Sequence, residues 1–170
     1  MKTIINSILR IVQFLLVLIA TALLGNVRAN NTQHAAASAT AAINFAIFVC
    51  ALAWIAIIYS IITQVVSAIS MPIVALALDG LATLFTFIGA VVLSAKLTTA
   101  NCASYVRLET TDWIAFGSGD TEKRCREIQA GLVFMWFLFA TFAATMALAF
   151  KEFRRGGGSV RGPSMSQIGV

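Results

Sequence analysis

Apolar residues along this chain gather into four long runs separated by polar stretches, with no sustained two-residue alternation. The first run covers about residues 4–24, interrupted by Asn6, Arg10 and Gln13, and gives way to a polar segment over residues 25–33. The second covers about residues 41–66, with Trp54 and Tyr59 as candidate anchors at the membrane interface. The third, about residues 72–97, opens on Pro72, whose fixed φ and missing N–H suit a first helical turn. The fourth covers about residues 128–150. About 20 apolar residues at 1.5 Å each cross the hydrocarbon core, so each run predicts a transmembrane α-helix. The gap between the second and third is so short that these two pack as antiparallel neighbours. For the first run a cleavable secretory leader is the alternative: Lys2 and Arg10 precede a short apolar run, and Val27 with Ala29 resembles a cleavage site, although Arg28 sits inside it.

Composition narrows the class. With 59% apolar and 11% charged residues the chain is far from a soluble domain, where about a quarter of residues are charged. Four spans, three loops and a tail use up the 170 residues. The expected architecture is an all-α membrane protein, a four-transmembrane-helix bundle over residues 1–150. A flexible basic tail over residues 151–170 follows, with Lys151, Arg154 and Arg155 before the glycines at 156–158. The net charge of +5 lies in loops and ends without interleaved aromatics, so anionic lipid headgroups, not nucleic acid, are the expected counter-charge.

Orientation is less direct. Lys2, Arg10, Lys151, Arg154, Arg155 and Arg161 fall on the side of the termini, and Arg28, Lys96, Arg107, Lys123, Arg124 and Arg126 on the other, a tie by the positive-inside rule. The basic cluster abutting the last span and the cysteine pair in the long loop favour cytoplasmic termini.

Cys102 and Cys125 bracket the one long loop, residues 98–127, and a disulfide there would clamp its base; two free thiols are the alternative. Cys50 reads as a small core residue, and two cysteines with the distant His34 make a poor zinc site, so neither metal nor cofactor is implied. Asp79 lies inside the third span, where an acid is costly unless it is paired or faces a cavity. Arg10 lies at about the same depth from the same face, so an intramembrane ion pair is the structural reading. A proton or cation relay in a transporter is the functional alternative.

Ala75, Ala82, Thr83, Thr86 and Ala90 share the helical face of Asp79, and Ala140, Ala143, Ala144 and Ala147 form a small-residue stripe in the fourth span. Such a stripe suits packing within the bundle or between copies of the chain. Asn30 heads a glycosylation triplet too near the first span for use, and Gly117-Ser118-Gly119 lacks the context of a nucleotide loop. Ser159, Ser164 and Ser166 are candidate phosphorylation sites whose added charge would weaken the hold of the basic tail on an anionic surface; unmodified serines in a linker are the plainer reading.

Together several pieces resemble one family. They are Ile8-Leu9-Arg10-Ile11 with Phe14, Asn31-Thr32-Gln33-His34, and Leu78-Asp79 followed by Phe85-Thr86-Phe87 and Val92-Leu93. The long loop adds Cys102, Ser104-Tyr105-Val106, Gly117-Ser118-Gly119, Arg124-Cys125-Arg126 and Gln129-Ala130, and the tail adds Pro163, Ser166-Gln167 and Val170. In this order they resemble the fungal non-classical export proteins, which carry a four-span MARVEL-like domain. The resemblance implies a non-enzymatic plasma-membrane protein of furrow-like microdomains, linked to eisosome organisation, sphingolipid-dependent signalling and unconventional secretion. Its implied partners are membrane lipids, sphingolipid or anionic, microdomain or eisosome proteins, and further copies of itself. Trp113-Ile114-Ala115-Phe116 stands as an addition to the family pattern.

Overall fold

The structure is a computed structural model that describes residues 2–31, 35–66, 71–98, 101–103 and 112–155. Four helices follow one another: α1 (Lys2–Ala29), α2 (Ala37–Val65), α3 (Pro72–Leu97) and α4 (Thr121–Arg155). All four are long and apolar enough to cross a membrane. Each packs against two neighbours, in the ring α1–α2–α3–α4, and the diagonal pairs α1/α3 and α2/α4 stand further apart. The N-termini of α1 and α3 and the C-termini of α2 and α4 thus share one end of the bundle, and the long loop lies at the other.

Inside hydrocarbon there is no hydrophobic drive to hold helices together, so close van der Waals packing must do it, and small residues permit it. Ala20 of α1, Ala46 and Ala53 of α2 and Ala82 and Ala90 of α3 are buried where the helices meet, and Val17, Leu24, Leu93, Met135, Leu138 and Phe142 fill the interior between them. Two glycines mark the tightest approaches. A Cβ at Gly89 would meet Met135 Cε at 2.7 Å, and one at Gly131 would meet Leu24 Cδ2 at 3.1 Å. The outer faces are apolar and uncovered: Ile4, Ile8, Ile11, Leu15 and Leu18 recur at helical spacing along α1, as do Phe48, Ile55 and Ile58 along α2. That is the surface lipid tails require.

The helices outrun the apolar runs that announce them. α1 continues to Ala29, α2 starts at Ala37, and α4 takes in residues 121–127, which the apolar pattern assigns to the loop. Local chemistry explains the early start of α4: Asp120 Oδ1 accepts a hydrogen bond from the Lys123 N–H at 2.9 Å, as an N-cap does, and Glu122 pairs with Arg126 one turn on. At the other end α4 stays helical through Arg155, so the expected flexible tail differs from the structure over residues 151–155; no glycine interrupts the helix before residue 156. The 35 residues of α4 span about 52 Å, against about 30 Å of hydrocarbon, so it projects beyond the membrane core.

Candidate functional site

Polar side chains enter the bundle in two places. The first lies toward the end with the termini. Along α1 the buried positions run Arg10, Gln13, Val17, Ala20, Leu24 and Val27, a stripe at steps of three and four residues that faces the centre. Asp79 occupies the corresponding stripe of α3 with Ala82, Thr83, Thr86, Ala90 and Leu93. Arg10 and Asp79 meet across the α1/α3 diagonal in a bidentate pair, Nη1 to Oδ1 at 2.8 Å and Nη2 to Oδ2 at 2.5 Å. Arg10 is 5% exposed and Asp79 1%. The guanidinium has the planar fork and the reach to bridge helices whose backbones do not touch.

Gln13 extends the cluster to a third helix. Its Oε1 accepts from Arg10 Nη1 at 3.0 Å, its Nε2 donates to Thr145 Oγ1 of α4 at 3.3 Å, and that hydroxyl donates to Phe142 O. Thr83 and Thr86 donate to carbonyls of their own helix, Asp79 O and Ala82 O, both at 2.6 Å. Among the described residues Arg10 Nε is the one buried side-chain polar atom without a partner. Toward the loop end the polar layer gives way to Met135, Leu138, Leu93 and Ile128, all fully buried.

The second place is the loop end. Cys102 and Cys125 are joined, with Sγ atoms 2.03 Å apart, while Cys50 lies apart and buried in α2. Trp113, Ile114 and Ala115 are buried against the bundle. The last carbonyls of a helix have no partner within it. Here Trp113 Nε1 donates to Leu97 O at the end of α3 at 3.3 Å, and Arg124 Nη1 donates to Val27 O near the end of α1 at 2.7 Å. Arg124 Nε also reaches Ile114 O, so one buried cation ties loop, α1 and α4 together and lies where a helix dipole favours positive charge. After this plug the chain reverses through Gly117, whose φ of 108° disfavours any side chain.

Around the plug runs a rim of polar contacts: Asn26 with Glu127, Arg28 with Asn44, Lys96 with Ser38, and Ser38 with Asp112.

The other expected sites fare differently. Lys151 and Arg154 are exposed at the far end of α4, with the Arg154 guanidinium 5.9 Å from the Phe150 ring, and Arg155 ends the helix. Ser159, Ser164 and Ser166 lie outside the described residues. Of the small-residue stripe, Ala140, Ala144 and Ala147 face outward and Ala143 is half-buried, so the stripe is not the packing face within the bundle that is the default reading. Gln13, Thr145 and Arg124 are the polar residues that the sequence reading leaves without a role. Gln13 shares a stripe with Arg10 and is recoverable from spacing, whereas Thr145 among alanines and Arg124 in a charged run carry no such signal.

Comparison with known proteins agrees with this architecture. The MARVEL family, described as a membrane-associating domain, matches residues 3–148. Non-classical export protein 2 of Saccharomyces cerevisiae is 31% identical over 179 aligned positions, which cover 96% of this chain and 97% of that protein. No solved structure matches.

Proposed function

This chain belongs to the MARVEL family of membrane-associating domains, a multi-pass membrane protein by its four spans, and on that footing we propose that it is a non-enzymatic organiser of plasma-membrane microdomains. The observation that carries the reading is where the chemistry of the surface lies. The apolar faces of the bundle are turned outward to lipid along its length, whereas the charges that enter the membrane are engaged with one another at its centre. A protein built this way acts through what its outer surface gathers.

The finer parts of the proposal rest on the likeness to the fungal export proteins: residence in furrow-like microdomains, a link to eisosome proteins and sphingolipid-dependent signalling, and a part in unconventional secretion. The termini lie in the cytoplasm in this reading, with Lys151, Arg154 and Arg155 against the anionic leaflet, where each basic residue contributes about 1 kcal/mol. The Cys102–Cys125 bond then forms on the opposite, oxidising side. Ser159, Ser164 and Ser166 are the positions at which phosphate would loosen the tail.

Imaging a tagged full-length copy at the cell surface tests the organiser reading: discrete plasma-membrane patches are expected, and uniform or internal fluorescence would reject it. The competing role, a small transporter or channel component, draws on the buried Asp79 and the unpartnered Arg10 Nε. In proteoliposomes it requires ion or solute flux that Asp79→Asn abolishes. The apolar layer of Met135, Leu138 and Leu93 beyond the ion pair weighs against such a path.

A further inference from the structure

At the loop end a cleft of about 470 Å³ opens on the outer face between the C-terminal part of α1 and the first three turns of α4. Its lower lip is Leu23 and Ala130, both in apolar runs, and its upper wall is charged, with Lys123, Arg126 and Glu127 among its residues. The cleft therefore straddles the boundary between hydrocarbon and headgroups. Most of its polar groups already have partners: Arg126 pairs with Glu122 at 2.5 Å, Glu127 accepts from Asn26, and Asp120 caps α4. Among the described residues the Lys123 ammonium is exposed and has no partner.

We propose that this cleft holds the headgroup of a zwitterionic phospholipid of the loop-side leaflet, with the phosphodiester on Lys123, the ammonium toward Asp120 and Glu127, and one acyl chain descending past Leu23 and Ala130. Three features select that chemistry. A ligand reaching a cleft with an apolar lower lip at this depth arrives from the bilayer, so it brings a hydrocarbon tail. One free cation suits one phosphate charge, and the charge-assisted hydrogen bond between them is the strong kind. With Arg126 and Glu122 neutralising each other, Asp120 and Glu127 leave the wall net negative, which repels a purely anionic headgroup and attracts one with a cationic arm. A primary ammonium can donate hydrogen bonds to those carboxylates, which favours ethanolamine over choline. The site requires only that the helices cross the bilayer, and stands apart from the role in microdomains.

Native mass spectrometry of the detergent-purified full chain tests it, with phosphatidylethanolamine, phosphatidylglycerol and diacylglycerol of matched acyl chains as probes. Retention in that descending order is expected. Lys123→Gln, at an exposed position, should lower phosphatidylethanolamine retention about ten-fold, as loss of one charge-assisted hydrogen bond predicts. Lys96→Gln, which removes a cation of the same end that lies outside the cleft, should leave it unchanged. Ala130→Leu should lower it with every charge intact. Unchanged retention in Lys123→Gln, tighter hold on phosphatidylglycerol than on phosphatidylethanolamine, or displacement of the lipid by an equal concentration of soluble glycerophosphoethanolamine would each overturn the assignment.

Discussion

Toward the termini the bundle is held by one bidentate ion pair sunk between α1 and α3, buried on every side and extended by a single glutamine to α4. Among the described residues of the loop end no carboxylate meets a guanidinium in the interior. There a covalent bond, an indole and a buried arginine fasten loop and helix ends, and other described charges sit around the rim. The contrast follows from the partners on offer. Mid-membrane, every backbone carbonyl is taken by its own helix, so a cation needs a carboxylate. At a helix end the last carbonyls are free, and Arg124 bonds one of them, Val27 O, together with the loop carbonyl of Ile114. The inner charges are thus mutually dependent, and the outer ones lean on main chain that the fold supplies in any case.

This difference sets the order of expected effects on unfolding in detergent. Asp79→Ala strands Arg10 and should cost about 3–5 kcal/mol, as breaking a buried pair does; Arg10→Ala should cost less, because the guanidinium stranded by the first change has more N–H donors to satisfy than the carboxylate stranded by the second has oxygens, and its bond to Gln13 meets only one of them. Equal losses would break the comparison. Reduction of Cys102–Cys125, or Cys125→Ser, should cost about 3 kcal/mol on chain-entropy grounds for a separation of 23 residues, read as the shift in denaturation midpoint with and without reductant. Arg124→Gln should cost about 1–3 kcal/mol through the carbonyls it leaves unsatisfied, and should raise amide exchange in residues 113–116 before it affects α2. Trp113→Phe keeps the ring and removes one donor, for a loss of about 1 kcal/mol. Glu122→Gln, in an exposed pair one turn apart, should change stability by no more than about 0.5 kcal/mol.

The spans were legible because in hydrocarbon one rule dominates: a long apolar run has to become a helix. The same rule made Asp79 conspicuous, and its depth pointed to Arg10. Helix ends were less legible, since the start of α4 depends on a cap at Asp120 and an ion pair one turn long, local features that hydropathy does not register. The plug was the least legible part. Trp113, Ile114 and Ala115 sit in a polar loop, and nothing in their neighbours announces that the ends of α1 and α3 leave carbonyls for Trp113 and Arg124 to meet. The outward direction of Ala140, Ala144 and Ala147 was hidden for a related reason: spacing shows that alanines share a face but not which way it turns.

The diagonal placement of the Arg10–Asp79 pair also bears on how the chain enters the membrane. Helices are delivered one after another, and α1 is in the bilayer before α3 emerges. An aspartate at the centre of an isolated helix costs about 2.5–3.5 kcal/mol on insertion, and one two turns in, as Asp79 is, costs less than that; α2 offers no basic residue to relieve it. The apolar length of α3 is enough to carry it across, and that cost is relieved once α1 has come to rest across from it, with α2 already in place between them. The same two side chains that lock the finished bundle thus act during synthesis as a register check, favouring the chains in which all of the first three helices have inserted in the correct order and orientation.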